Sequence, residues 1–256
     1  MMHRRAVLNL LAGTATVGTC PLCLTQAAQA AESKTHWGYE SHEGPAHWAE
    51  LNGDYAVCGT GGEQSPIDLA GRVPAVLSDL SIDWHDTKLA VVNNGHTIQV
   101  NTEPGSTIAL KGKRFDLKQF HFHHRSEHTV DGRSYDMEIH FVHAAGDGDL
   151  AVLGVFVEPG DADDTIATIW DTMPSAVGEA TADTRIAPGH LLPASRSFYR
   201  YAGSLTTPPC SEIVTWTVYA EPITLSQAQI DAFAALYPAN ARPVQALNRR
   251  VLLGNF

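Results

Sequence analysis

The sequence predicts a mostly β, α+β chain: one large, mainly antiparallel sheet with a few helices at its edges. Three observations carry that expectation. Short runs of alternating apolar and polar residues recur from Leu80 to Leu225, the period of two expected of half-buried strands. An Asn-Gly pair sits between two such runs. Only two stretches carry helical signals. The chain has 256 residues, 44% of them hydrophobic, which suffices for one sizeable core. It shows no internal repeat and no Gly/Ser or Pro-rich linker, so a single domain is expected.

Residues 1–30 differ from the rest. A basic start containing Arg4 and Arg5 precedes an apolar run, and Ala28 and Ala30 stand in A-x-A spacing. This pattern reads as a secretory signal peptide cleaved after Ala30, leaving a mature domain over 31–256. The Sec route is expected, with the twin-arginine route as the alternative. The apolar run is too short to read as a membrane anchor. Cleavage removes two basic residues and no acidic one, leaving 15 basic against 28 acidic side chains, a net charge of −13. Such a surface repels nucleic acid and anionic lipid. Of four cysteines, Cys58 and Cys210 remain, and in a periplasmic or secreted protein they are expected to pair; two separate buried thiols are the alternative.

Each later element follows from local pattern. Residues 31–75, rich in Gly, Pro, His and Trp, read as an irregular segment over a core. "KLAVVNNGHTIQVNT" (88–102) is a hairpin about Asn94-Gly95. "STIALKGKRFDLKQFHFHH" (106–124) is two strands about a Gly112 turn. "DMEIHFVHAA" (136–145) alternates, "LAVLGVFVEP" (150–159) is a strand buried on both faces, and "SEIVTWTVYAEPITL" (211–225) is another strand. "DDTIATIWDTM" (163–173) reads as a helix. So does "LSQAQIDAFAALYP" (225–238), with Ser226 as N-cap and Pro238 as stop.

The chemistry concentrates in "FHFHHRSEH" (120–128). Period-two alternation puts His121 and His123 on one strand face and Phe120 and Phe122 on the other. Two imidazoles at this spacing can chelate one ion, and His140 on a neighbouring strand would complete three. Three protein ligands with a fourth position open describe a catalytic zinc site. His124, His128 and His143 remain alternative ligands at this level. The helical H-E-x-x-H of metalloproteases is absent. Gln119 and Glu138 each precede a candidate ligand by two residues, placed to accept from its outer nitrogen and fix its tautomer.

Eight stretches, taken in order, resemble the α-class carbonic anhydrases, specifically their bacterial exported branch: "HWGYESHEGPAHW" (36–48), "QSPIDL" (64–69), "NNGH" (93–96), "QFHFH" (119–123), "SEHTVDG" (126–132), "EIHFVH" (138–143), "AVLGVF" (151–156) and "YAGSLTTPPCSEIVTW" (201–216). The resemblance implies a large twisted sheet with one zinc ion at the base of a cleft, held by His121, His123 and His140. It implies reversible hydration of carbon dioxide to bicarbonate by zinc-bound hydroxide, with weak ester hydrolysis as a side activity. Thr206 matches the residue that orients the hydroxide, Glu127 the carboxylate that accepts the Thr206 proton, and His96 the proton shuttle. Val142, Val152, Leu205 and Trp216 match the apolar wall that receives carbon dioxide. Thr207, Tyr39, Asn94 and Gln99 match the opposite, water-carrying wall. Cys58 and Cys210 match the disulfide of exported members. A third acceptor for the ligands, a backbone carbonyl, is expected within Leu247–Arg250, and Ser65-Pro66 and Pro208-Pro209 match cis peptides. A homodimer is a further expectation, and neither a nucleic-acid nor a membrane partner is. Two other classes compete. A non-catalytic binding relative would lack a zinc ligand, and a zinc-storage protein would use the thirteen histidines at several sites.

Overall fold

The structure is a computed structural model that describes residues 35–77 and 80–256. The expected signal peptide lies outside the described residues. Among them run thirteen strands: β1 (Val73–Pro74), β2 (Leu80–Asp83), β3 (Thr87–Asn93), β4 (Ile98–Asn101), β5 (Thr107–Leu110), β6 (Lys113–His123), β7 (Met137–Ala144), β8 (Leu150–Pro159), β9 (Gly178–Ile186), β10 (Phe198–Gly203), β11 (Val214–Tyr219), β12 (Ile223–Leu225) and β13 (Leu253–Gly254). They form one sheet whose main order is β1-β13-β10-β11-β8-β7-β6-β4-β3-β9. Pairings are antiparallel except β1 with β13 and β8 with both β11 and β12. The expected fold class therefore holds, with the addition of this parallel seam.

The sheet is buried on both faces where it matters. Along β8, Ala151, Leu153, Val155 and Val157 enter the larger core, while Val152 and Phe156 enter the smaller one. The unbroken apolar run 151–157 is the sequence mark of that double burial. Phe120, Phe122, Ile139 and Phe141 all face the larger core. His121, His123 and His140 therefore face the other side, as the alternation predicts.

A bulge sets this phase. Leu117 pairs with His143, but Gln119 pairs with Val142, so Lys118 is the extra residue on β6. Before it, odd-numbered Phe115 and Leu117 point into the larger core; after it, even-numbered Phe120 and Phe122 do. A bulge of one residue exchanges the two faces of a strand. That exchange frees the odd positions 119, 121 and 123 for polar residues.

The predicted hairpin is present, with Asn93 paired to Ile98. Its turn spans 94–97: Asn94 Oδ1 accepts from the amides of His96 and Thr97, both at 2.9 Å, and Gly95 takes φ +88°, a conformation that favours glycine. The Lys111-Gly112 turn joins β5 to β6 as expected. Residues 211–225 form two strands, β11 and β12, rather than one. Five strands, β1, β2, β9, β10 and β13, lie outside the strand runs quoted above. The edge strand β9 is mostly exposed and built of small and polar residues, and β10 is too uniformly buried to alternate.

Among the described residues four α-helices flank the sheet: α1 (Trp48–Leu51), α2 (Val57–Thr60), α3 (Asp164–Thr172) and α4 (Gln227–Ala234). Asp163 caps α3 by accepting from the Ile166 amide at 2.8 Å. Ser226 and Gln229 close a capping box on α4, which ends at Ala234, short of Pro238. Ser65-Pro66 and Pro208-Pro209 are cis, as expected, and so is His124-Arg125, which was not foreseen.

Cys58 on α2 and Cys210 form a disulfide across 152 residues, packed against the buried Trp48. It anchors the loop after β10 to the N-terminal segment. A loop this long should confer about 4–5 kcal/mol by constraining the unfolded chain. We therefore expect the Cys58→Ala/Cys210→Ala double variant to lose most of that amount in urea unfolding; an unchanged midpoint would contradict it.

Candidate metal centre and active site

Strands β6 and β7 pair so that His121 lies opposite His140 and His123 opposite Glu138. The coordinating nitrogens of His121, His123 and His140 lie within 4.8 Å of one another. Each ring is fixed through its outer nitrogen. His121 Nδ1 donates to Gln119 Oε1 at 2.8 Å, His123 Nδ1 to the Asn240 carbonyl at 2.7 Å, and His140 Nε2 to Glu138 Oε1 at 2.9 Å. With these N–H groups committed outward, the lone pairs of His121 Nε2, His123 Nε2 and His140 Nδ1 point inward.

The ring electrostatics agree. Burial, with the neighbouring His123 and His140, holds the His121 pKa well below the ordinary histidine range. Burial also lowers the His123 pKa, against the opposing pull of Glu127. Both rings are thus neutral, the form that binds a metal. His123 Nε2 is buried and has no hydrogen-bond partner. A three-nitrogen set with one such orphaned acceptor fits a divalent zinc ion.

Glu138 is the deepest support. Its carboxylate is fully buried and takes four N–H donors: Glu127 N at 2.9 Å and His128 N at 2.8 Å on Oε2, and His128 Nδ1 at 2.7 Å and His140 Nε2 at 2.9 Å on Oε1. Burial alone would raise its pKa, but His128 and His140 more than offset it and hold the group well below the usual carboxylate range. His128 Nε2 is in turn hydrogen-bonded to the Tyr201 hydroxyl at 2.6 Å, which lies 2.9 Å from Ser65 Oγ.

The other histidines are accounted for. His128, Glu138 and His140 also converge, but the hydrogen bonds just described explain that cluster. His143 is buried on the opposite face, donates to the Ala151 carbonyl at 3.1 Å, and has its pKa pushed down to about 4 by burial. His124 Nδ1 donates to the Pro238 carbonyl at 2.8 Å. Six histidines crowd 121–143, yet three converge without an internal hydrogen bond, which removes the basis for a storage reading.

The third acceptor corrects an expectation. It is the Asn240 carbonyl, not one within Leu247–Arg250. That later stretch closes its own turn, Arg250 N to Leu247 O at 3.2 Å, and lies elsewhere.

Glu127 is 1% exposed and Thr206 5%, so both are buried. Glu127 Oε1 accepts from the Arg242 amide at 2.8 Å. No hydrogen bond joins Thr206 to Glu127, contrary to the expectation. Glu127 Oε2 has no hydrogen-bond partner and lies 3.6 Å from His123 Nε2 and 3.8 Å from His140 Nδ1, facing the ring nitrogens. A buried carboxylate oxygen so placed adds negative potential where a cation would sit.

The residues assigned to the two walls fall on opposite sides of the three histidines. Val142 pairs with Val152, and Val152 with Trp216; Leu205 packs on the same cluster. The Trp216 ring lies 4.8 Å from that of His140, edge to face. On the other side, Tyr39, Asn94, His96, Gln99 and Thr207 line a cleft of about 130 Å³ that reaches His121 and His123. Tyr39 belongs there, its pKa raised well above the ordinary value by burial and by Glu127. The His96 ring stacks on Trp37 with centroids 3.8 Å apart. Sequence reading missed Trp37, Asn240 and Arg242. The first sits within a stretch already quoted; the other two act through backbone groups in an irregular segment, where no periodicity betrays them.

An open three-histidine site on a large β-sheet, beside a buried Thr and carboxylate, is the donor set of an enzyme centre able to hold one metal ion. The eukaryotic-type carbonic anhydrase family profile matches residues 43–256. A carbonic anhydrase from Nostoc sp. is 45% identical, covering 98% of this chain and 97% of its own. The solved structure of the α-carbonic anhydrase of Thermovibrio ammonificans, bound to the inhibitor sulfanilamide, superposes with a TM-score of 0.84 at 45% identity, covering 86% of this chain and all of that one. That of Photobacterium profundum gives 0.81 at 42% identity, covering 85% of this chain. This chain belongs to the α-carbonic anhydrases, zinc-dependent enzymes that hydrate carbon dioxide.

Removing the Glu138 carboxylate strands four buried N–H groups. Glu138→Ala should therefore cost at least about 3 kcal/mol in urea unfolding and lower the zinc content of the purified protein. A loss under about 1 kcal/mol would show that the network carries little.

Proposed function

We propose that the enzyme interconverts carbon dioxide and bicarbonate through one zinc ion held by His121 Nε2, His123 Nε2 and His140 Nδ1, with His96 exporting the proton. The observation that carries this reading is the outward commitment of all three ring N–H groups, which leaves three lone pairs aimed inward. When bound, zinc supplies a hydroxide nucleophile near neutral pH, the behaviour for which this family is itself the reference case.

The residues around that point divide the remaining work. An ionised carboxylate can only accept, and Glu127 Oε2 is still open; a Thr206 hydroxyl that turned to donate to it would present its own lone pairs to the nucleophile. That orientation leaves the nucleophile's lone pair for the substrate. Val142, Val152, Leu205 and Trp216 offer apolar surface to a small nonpolar molecule and none to a charged product, which favours release of bicarbonate. Tyr39, Asn94, Gln99 and Thr207 line the polar side with groups able to hold water between the centre and His96. A histidine titrates near neutral pH and can carry a proton either way.

Export to the periplasm or beyond accords with the Cys58–Cys210 disulfide and with the A-x-A site at Ala28 and Ala30. No described helix is long and apolar enough to cross a membrane.

Stopped-flow hydration tests the assignment. His140→Ala should abolish zinc-dependent turnover. His96→Ala should slow turnover in weak buffer by about tenfold or more, and added imidazole should restore it. Wild-type-like turnover of His96→Ala in weak buffer would overturn the relay, and zinc-independent turnover would overturn the metal assignment.

A further inference from the structure

Asn240 lies outside every strand and helix, yet it is 1% exposed and spends all of its polar groups. Its carbonyl accepts from the metal-ligand candidate His123 at 2.7 Å. Its backbone N–H donates to the His124 carbonyl at 3.0 Å. Its side-chain Oδ1 accepts from the His124 amide at 2.7 Å. The two hydrogens of Nδ2 go to the Phe122 carbonyl and the His96 carbonyl, each at 3.0 Å. One residue thus joins the end of strand β6 to the turn that bears His96.

The join has a second stitch. Thr97 Oγ1 donates to the same Phe122 carbonyl at 2.5 Å, so that oxygen receives one hydrogen bond from the turn and one from Asn240. The His96 ring is held from its other side by the Trp37 stack. The ring is therefore positioned by Trp37, and its backbone by Asn240.

We propose that Asn240 is a positioning residue that sets the proton relay and the metal ligand in one frame: its backbone carbonyl orients His123 while its side-chain amide holds the His96 backbone. This rests on the reading of His96 as the relay. Only asparagine serves, because the task needs two donors and one acceptor on a short side chain. Aspartate lacks the donors, and glutamine is one methylene too long for a site with no exposure. An enzyme that must deliver a proton from a buried centre to a surface ring gains from referring both ends to one residue, since small misplacements are costly in rate.

The zinc-loaded enzyme carrying Asn240→Ala tests this. In weak buffer its kcat should fall by about tenfold, while kcat/KM, which is blind to proton export, falls by less than about threefold. Imidazole should restore kcat. The half-time of zinc loss to a chelator should shorten by about tenfold, because the carbonyl that orients His123 loses its own side-chain anchors. Parallel falls of kcat and kcat/KM without imidazole rescue, or an unchanged zinc half-time, would overturn the proposal. Should the alanine variant not fold, Asn240→Ser, whose hydroxyl falls short of both carbonyls, is held to the same readouts. His96→Ala run alongside separates the two levels: its indifference refutes the relay itself, whereas a sensitive His96 with an indifferent Asn240 refutes the shared frame alone.

Discussion

Three hydrogen bonds on the far sides of three imidazoles decide what this protein can do. A neutral imidazole has one N–H and one lone pair, so committing the first directs the second. Gln119, Asn240 and Glu138 each commit one ring. The three acceptors differ in kind: a side-chain amide, a backbone carbonyl and a carboxylate. Glu138 is the most demanding, since an ionised group without exposure survives only when its lone pairs are filled. Four N–H groups fill them, two from the backbone of the loop carrying Glu127 and His128. The same carboxylate thereby places the loop that brings Glu127 to the site.

The sheet makes this arrangement rigid. Strands β6, β7 and β8 sit at its centre with one face in the larger apolar cluster, so the histidine-bearing strands cannot slip by one residue without burying imidazoles among phenyl rings. The bulge at Lys118 fixes the phase of β6, and the parallel pairing of β8 with β11 brings Trp216 beside His140. Two irregular segments then complete the centre. The loop after β10, anchored through Cys210, carries Thr206. Residues 238–242 thread behind the ligands, where Asn240 and Arg242 hold His123 and Glu127 by backbone groups.

Much of this was legible in the residues. The alternation of Phe120, His121, Phe122 and His123 announces two opposed faces, and the shift from odd to even apolar positions between Leu117 and Phe120 records the bulge. Asn94-Gly95 announces the hairpin, and Ser226 with Gln229 announces the capped helix. What stayed hidden lacks local pattern. Strand β9 has too few apolar residues to show a period, and β10 is too uniformly buried to alternate. Asn240 acts through contacts more than a hundred residues away in sequence, so the expected carbonyl was placed several residues too late, in Leu247–Arg250. The expected Thr206–Glu127 contact is a related case: the free oxygen of Glu127 faces the ring nitrogens, an orientation that no local sequence pattern records.

The central claim is that three imidazole nitrogens, and no other side chain, bind one zinc ion and leave its last position to solvent. X-ray absorption at the zinc edge of the purified protein tests it most directly. The account predicts one zinc per chain, with three imidazole nitrogens and one further light ligand at about 2.0–2.1 Å. A sulfur scatterer, a fourth imidazole, or a stoichiometry well away from one would contradict it.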